Sequence, residues 1–459
     1  MLCKCHGIGA TFEHQVINTF NMKLYVTLLY VAFFIVCFTR CSTPGPGGLF
    51  GKKTPHEQYA EKLEKAGLRQ TNLGRQWFVQ AANSLQQPVK VNIPFSQVGY
   101  FAAEQPSADG IVFAAKRGQQ LTIKIATKPD TGFIIFADLW QPKDGDNRSP
   151  RLLQAADTTN LILFEVKRDG NFQLRLQPEL LQTGQYDLNI SIGPSLSFPV
   201  TARAKSSIQS FWGVDRDGGQ RRHEGIDIFA PRRTALVAAA NGVVTRVNEN
   251  SLGGKVVFMR PDGKDYSLYY AHLDEQLVTA GQQVAIGDTL GLMGNTGNAA
   301  YTSPHLHFGI YTRDGAVDPL PFVDRNTKLP PKISASTELL NDWAAASSNT
   351  TIYTAPDQKA TELSSLSKNS VIRVMGASGG WYKVQLPNRQ TGYVYADRLS
   401  KLRNTANLEI RQPTVVVDAP TANAPAKQKL VPGNTVKVLG RFEGFQLIRF
   451  NNSLGWIAL

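Results

Sequence analysis

Pro304-His305-Leu306-His307-Phe308-Gly309-Ile310-Tyr311 alternates strictly in character. Leu306, Phe308 and Ile310 occupy one set of positions, and His305, His307, Gly309 and Tyr311 the other. Successive side chains of a strand point to opposite faces, so this pattern predicts a half-buried β-strand with its apolar set in the core and both imidazoles on the other face. Neighbours on one face of a strand stand roughly 6.5–7 Å apart. One histidine can then hold a metal while the other reaches a substrate above it. A lone His-x-His is a weak signal, and its meaning depends on what accompanies it.

Upstream, His223-Glu224-Gly225-Ile226-Asp227-Ile228-Phe229-Ala230-Pro231 carries a histidine and a carboxylate at a spacing of four. That spacing suits one helical turn, but Gly225, the β-branched residues and Pro231 argue against a helix. On an extended strand it again puts His223 and Asp227 on one face, with Glu224 turned away and so not favoured as a general base. Between the two segments, Lys255–Arg260 and Asp265–Ala271 flank the turn Pro261-Asp262-Gly263-Lys264, a predicted hairpin that ends at His272. Its place at a strand end suits the rim of a site. Four of the seven histidines lie between positions 223 and 307, and the others (His6, His14 and His56) lie far upstream. Neutral imidazoles with a carboxylate are the donor set of a catalytic zinc site that keeps an open position.

The turn Gly291-Leu292-Met293-Gly294-Asn295-Thr296-Gly297-Asn298 leads into Ser303-Pro304-His305-Leu306-His307-Phe308. With His-x-x-x-Asp upstream and Tyr270-Ala271-His272-Leu273 between, this order closely resembles the lysostaphin/LytM-type zinc endopeptidases of the M23 peptidase family. The resemblance covers about residues 206–323, a quarter of the chain. It implies a small antiparallel β domain in which His223, Asp227 and His307 bind one Zn2+. It implies that His272 and His305 orient and activate the metal-bound water and stabilise the transition state. It also implies peptidoglycan as the substrate, cut in its stem peptides or cross-bridges, with D-Ala to meso-diaminopimelate links and glycine bridges both open. Ser303 stands where the family often has Gly, and Gly309 where an acidic residue often follows; neither is a ligand position. Family members that only activate other wall hydrolases have lost ligands, and here all are present, which favours an active enzyme over a non-catalytic envelope adaptor or activator. A zinc hydrolase acting on another polymer is a third reading.

Outside this region, 459 residues predict about three domains. The hydrophobic and charged shares, 42% and 19%, are those of ordinary globular protein. The net charge of +13 suits an anionic cell wall, and no compact run of Lys and Arg interleaved with aromatics points to nucleic acid. All four cysteines (Cys3, Cys5, Cys37 and Cys41) precede residue 42, which excludes disulfides, cysteine-bound zinc and a cysteine nucleophile from the body. Lys23 precedes an apolar run from Leu24 to Phe38 of signal-peptide length, and Met22 just before it suggests the true start. The layout up to Arg40-Cys41-Ser42 resembles a bacterial lipoprotein signal with Cys41 lipidated, departing from it at Phe38 and Arg40. An uncleaved N-terminal anchor is the alternative. Both readings export the body to the cell envelope, as a periplasmic or membrane-anchored protein, and touch the membrane only through that end.

The chain is therefore expected to be mainly β and multidomain: signal 1–41, flexible linker 42–54, helical segment 55–88, β-sandwich 89–203, LytM-type catalytic domain 204–325, linker 326–348, and two small SH3-like β-barrels over 349–402 and 405–459. The last two are a duplication. Thr351–Pro356 matches Val415–Pro420, Val374-Met375-Gly376 matches Val438-Leu439-Gly440, and Gly380-Trp381 matches Gly444-Phe445, all at an offset of 64. Gly392-Tyr393-Val394 then matches Gly455-Trp456-Ile457, one deletion later. These halves resemble bacterial SH3-like modules, which implies binding of cell-wall peptides or cross-bridges. The sandwich offers no constellation of titratable groups and reads as a spacer or protein-binding module.

Overall fold

Thr54 and Glu57 open the first described helix with a reciprocal cap: the Glu57 N–H donates to the Thr54 hydroxyl at 3.1 Å, and the Thr54 N–H donates to the Glu57 carboxylate at 2.8 Å. Two N–H groups that a helix start leaves open are thereby satisfied. The structure, a computed structural model, describes residues 53–142, 151–156 and 160–459. Thr54–Leu459 forms one unit. The leader, the four cysteines including Cys41, and the linker as far as residue 52 lie outside the described residues. Among the described residues no helix is long and apolar enough to cross a membrane.

Helices α1 (Pro55–Lys65) and α2 (Asn72–Gln86) bury Leu63 and Trp77 against Phe136. His56 is buried with them, its ring stacked on Trp77 at 4.8 Å. Gln177 donates its amide N–H to the Trp77 carbonyl at 2.8 Å, which turns its Oε1 to accept from His56 Nε2 at 2.7 Å. Burial first, then the charge of Arg175, drops the His56 pKa to about 4, against the Gln177 bond that acts to raise it.

Among the described residues nine strands follow: β1 (Val89–Lys90), β2 (Phe95–Phe101), β3 (Asp109–Ala115), β4 (Gln119–Lys128), β5 (Ile135–Gln141), β6 (Arg151–Ala155), β7 (Leu161–Glu165), β8 (Gly170–Pro178) and β9 (Gly184–Pro194). One sheet runs β1-β3-β8-β5-β6 and the facing layer β2-β9-β4-β7. Leu121, Ile123, Leu139, Leu174 and Ile190 fill the space between them as a common core. Beneath α1 and α2, Asp138 and Arg175 form a buried ion pair across β5 and β8.

The histidine-bearing region has β10 (Ser207–Ser210), β11 (Asp215–Arg216), β12 (Arg221–Arg222), β13 (Ile226–Phe229), β14 (Ala235–Val237), β15 (Gly242–Asn250), β16 (Gly254–Pro261), β17 (Ser267–Gln276), β18 (Gln283–Val284), β19 (Thr289–Met293), β20 (His305–Thr312) and β21 (Gly315–Val317). The main path of its large sheet is β10-β13-β20-β17-β16-β15-β18, while β11 and β12 form a separate two-stranded ribbon. The short helix α3 (Leu320–Val323) ties this sheet to the sandwich: Phe322 packs edge-on to Tyr266, its carbonyl accepts from the Leu196 N–H at 2.9 Å, and Lys264 pairs with Glu165.

The C-terminal strands are β22 (Trp343–Ala346), β23 (Thr350–Tyr353), β24 (Glu362–Leu366), β25 (Val371–Ser378), β26 (Trp381–Gln385), β27 (Thr391–Tyr395), β28 (Leu399–Lys401), β29 (Ala406–Glu409), β30 (Thr414–Val417), β31 (Ala426–Leu430), β32 (Thr435–Phe442), β33 (Phe445–Phe450) and β34 (Ser453–Ala458). The duplication is visible in the pairing. Tyr353 pairs with Tyr393 as Val417 does with Trp456, and both modules carry a register shift at the equivalent glycine, Gly376 or Gly440. Neither module closes into a barrel; the second is an open path β29-β32-β33-β34-β30-β31.

The open modules correct the expectation of two closed barrels, and two further features differ from the sequence reading. The stretch 326–348, expected as a linker, is pinned: the Ser334 and Ala335 N–H groups both reach the Gly379 carbonyl at 2.9 Å, and β22 pairs with β25 and β28. Small side chains let Ala344, Ala345 and Ala346 lie buried in that sheet. Second, β2 pairs on its free side with β25, so the sandwich layer and the first module share one sheet. A buried polar cluster seals the join, in which Gln97 bonds Tyr186 at 2.6 Å and Tyr393 at 3.1 Å while Tyr186 and Lys383 both reach Asp109.

His56 yields a pH prediction. Its folded pKa lies below its unfolded value of about 6.5, so the unfolded chain binds the extra proton as pH falls, and stability present at neutral pH is lost between about 6.5 and 4. The loss approaches about 3 kcal/mol and should appear as falling hydrogen-exchange protection in α1 and α2, corrected for intrinsic rates. The variant His56→Gln should flatten that profile; an equal fall in the variant would assign the effect elsewhere.

Candidate metal centre

Strands β13 and β20 pair antiparallel with Asp227 directly opposite His307 and Phe229 opposite His305. Ile226, Ile228, Leu306 and Phe308, the alternate residues, are fully buried on the other face. The predicted facing of β20 is therefore as the alternation required. His223 is placed differently from the expectation of a single strand with Asp227. Strand β12 ends at Arg222 and the chain bends at Gly225 before β13 begins. His223 arrives instead on a ribbon, where its N–H donates to the Val214 carbonyl at 2.8 Å and its carbonyl accepts from the Gly213 N–H at 2.9 Å. Gly225 is required at the bend, because a Cβ there would stand 2.7 Å from the His307 ring and 2.6 Å from the Phe308 carbonyl.

His272 also differs from expectation. It lies within β17, which continues to Gln276, at an irregularity of register against β16 and with φ of +68°. That left-handed turn of the backbone re-aims the ring, as bulges beside sites do. The His272 and His305 rings lie 5.0 Å apart, and Phe229 stacks on His305 at 4.8 Å. His272 Nδ1 meets the Thr296 carbonyl at 2.8 Å, and His305 Nδ1 meets the Ser303 carbonyl at 2.9 Å. A carbonyl only accepts, so in both rings Nδ1 carries the proton, and a neutral ring keeps its lone pair on Nε2. Burial, the largest influence, lowers the His272 pKa to about 4, which keeps the ring neutral at pH 7. Beside His305 a cleft of ≈ 450 Å³ is lined by Lys205, Ser207, Gln209, Phe229, Ser303 and Pro304.

Three donor atoms converge. His223 Nε2 lies 3.0 Å from Asp227 Oδ1 and 3.0 Å from His307 Nδ1, and His307 Nδ1 lies 3.1 Å from Asp227 Oδ1. His223 Nδ1 meets the Phe211 carbonyl at 2.8 Å and so carries that ring's proton. A neutral His223 therefore turns a lone pair toward an acceptor-only carboxylate, an arrangement that calls for a cation. Donors around a tetrahedral zinc at about 2.0–2.1 Å stand roughly 3.3 Å apart, close to this triangle, so the residues suit the ion. Burial pushes the Asp227 carboxyl up, but the His223 and His307 bonds outweigh it and hold the group well below the carboxylate range. Burial likewise lowers His307, against the opposing pull of Asp227.

The sequence reading missed Arg216 and Ser210. Arg216 Nη2 donates to Asp227 Oδ2 at 2.6 Å and to Ser210 Oγ at 2.8 Å. No strand or helix period links position 216 to 227, so only the folded ribbon reveals the contact. Glu224, turned away in the sequence reading, is exposed.

Residues 221–319 match the model of peptidase family M23, and residues 348–400 that of the bacterial SH3 domain. The chain thus carries an M23 peptidase domain and a bacterial SH3 domain. It is 35% identical over 137 residues to an L-Ala--D-Glu endopeptidase of Bacillus subtilis, covering 27% of this chain and 42% of that one. It is 33% identical over 150 residues to the peptidoglycan DD-endopeptidase ShyA of Vibrio cholerae, covering 30% of this chain and 33% of that one. Among solved structures, the catalytic domain of the antimicrobial peptidase lysostaphin from Staphylococcus simulans aligns at 26% identity and a TM-score of 0.24, over 27% of this chain and 97% of that one. The match thus spans less than half the length of either curated relative.

Replacing Gly225 by Ala should displace the His307 ring. The variant is expected to keep its β circular dichroism and to bind zinc at least about tenfold more weakly, measured by chelator competition; wild-type affinity would show that the ring does not depend on that gap.

Proposed function

We propose that this protein is an exported zinc endopeptidase that hydrolyses peptide bonds in peptidoglycan stem peptides or cross-bridges. The observation that carries the reading is the triangle of His223 Nε2, Asp227 Oδ1 and His307 Nδ1, set beside two further imidazoles whose Nδ1 protons are engaged by backbone carbonyls. His223, Asp227 and His307 would hold the ion. Zinc bound there supplies Lewis acidity toward an amide carbonyl and toward water. His272 and His305 do the proton work: with Nδ1 protonated, each can accept a proton at Nε2 and, once charged, donate to the leaving amine or stabilise the developing oxyanion. Phe229 and the Ser303 carbonyl hold His305 at the head of the adjoining cleft, where a peptide can lie.

The M23 domain and the named activities of the two curated relatives support the substrate class. The bacterial SH3 domain supports a wall-binding role for the C-terminal modules. Export rests on the leader and Cys41, and the domain limits, apart from the linker at 326–348, belong to the same proposal. The intact donor set argues against a purely non-catalytic activator.

Two variants separate the roles. His307→Ala should lose stoichiometric zinc, whereas His305→Ala should keep about one zinc per chain and lose about 10²–10⁴-fold in muropeptide release, read by mass spectrometry of digested wall. Clearing of wall that survives His305→Ala, or no clearing by zinc-loaded wild type, would overturn the reading.

A further inference from the structure

We infer that Arg216 is a positioning residue for the metal centre, which fixes Asp227 as a one-oxygen ligand. The inference rests on the zinc reading above and goes beyond it. The Asp227 carboxylate is divided between two sets of partners. Oδ1 faces His223 Nε2 and His307 Nδ1, and Oδ2 is taken by Arg216 Nη2 at 2.6 Å. The same Nη2 donates to Ser210 Oγ at 2.8 Å, and Ser210 is the cross-strand partner of Asp227. One guanidinium nitrogen therefore spans the end of the β10–β13 pair and holds the carboxylate plane.

The mounting of Arg216 is as informative as its contacts. Strands β11 and β12 form a small ribbon with Asp215 opposite Arg222 and Arg216 opposite Arg221. Gly218 and Gly219 turn it with φ of +70° and +92°, a conformation that side chains strain to adopt. The return strand runs directly into His223, whose ring is held by the Phe211 carbonyl at the other root of the ribbon. A single ribbon thus delivers one ligand, His223, and the clamp on another, Asp227.

A carboxylate can give a cation one oxygen or two. Two imidazoles and one oxygen leave a tetrahedral zinc with an open position for water or substrate, and a second oxygen would compete for it. A charge-assisted bond to Oδ2 opposes that rotation. Arg216 is also a cation beside the cluster, which disfavours metal binding through charge alone. The geometry therefore predicts an effect opposite to the electrostatic one: removing the guanidinium should weaken zinc binding.

The test uses full-length wild type, Arg216→Ala and Arg216→Lys, each prepared metal-free and zinc-loaded. Expected for Arg216→Ala are an unchanged melting temperature without metal, a zinc dissociation constant raised about 10–100-fold by chelator competition, and a lowered kcat at unchanged KM when zinc is saturating. Arg216→Lys should recover most of the affinity, since one ammonium can donate to both acceptors. Zinc affinity equal to wild type or tighter in Arg216→Ala, or a loss of affinity matched by a fall in metal-free melting temperature, overturns the inference. A wild type that takes up no zinc overturns the metal reading and this one together. A wild type that binds zinc yet releases no muropeptides sinks only the endopeptidase reading, because the affinity comparison stands without turnover.

Discussion

The register between β13 and β20 is the constraint on which the rest of the site depends. Asp227 stands opposite His307 only because Ile226, Ile228, Leu306 and Phe308 are all buried on the reverse face. Each such side chain contributes roughly 1.5–3 kcal/mol when removed from water, and a slip of one residue would turn all of that strand's apolar groups to the open side. The hydrophobic core therefore sets the candidate metal centre: the cost of misplacing Asp227 or His307 is the cost of exposing the core. The bend at Gly225 and the left-handed His272 are local departures from regular strand that this framework can support, and both occur where a ring must be re-aimed.

Backbone carbonyls do much of the chemical work. His223, His272 and His305 each engage Nδ1 with the carbonyl of Phe211, Thr296 or Ser303, which leaves Nε2 as the functional atom. His307 is the exception and turns Nδ1 itself to the cluster. The donor set is thus chemically mixed although its residues are of only two kinds. Such assignments follow from where loops carry their carbonyls, which residue identities do not record.

What the sequence disclosed and what it withheld follow the same division. The facing of β20 was legible because alternation is a property of neighbours in the chain. Motif order singled out the five candidate residues that the fold brings together, and the offset of 64 revealed a duplication now visible in equivalent pairings. The strand assumed to join His223 to Asp227 was an over-extension of the period-two rule across Gly225. The interior position of His272 in β17 depends on a register shift against β16, which no local pattern marks. Arg216, the shared sheet through β2 and β25, and the Asp109–Tyr186–Lys383 cluster all join residues distant in the chain. The packed stretch at Trp343–Ala346 was hidden by composition, since alanine is a poor strand former by propensity and takes up this strand only where neighbouring strands supply a close-fitting surface.

The continuous sheet across β2 and β25 has a mechanical consequence. Modules joined by a flexible tether raise the local concentration of whatever they grip, with little control over where it is presented. Here ladder bonds link the first C-terminal module to the sandwich, and Phe322 and the Lys264–Glu165 pair link the sandwich to the histidine-bearing sheet. The first C-terminal module and the histidine-bearing sheet are then parts of one frame, like the two jaws of a caliper. Under the proposed function, a polymer strand held by the module would meet the cleft at one fixed span, so the spacing of the mesh, as well as the chemistry of its bonds, would select where it is cut.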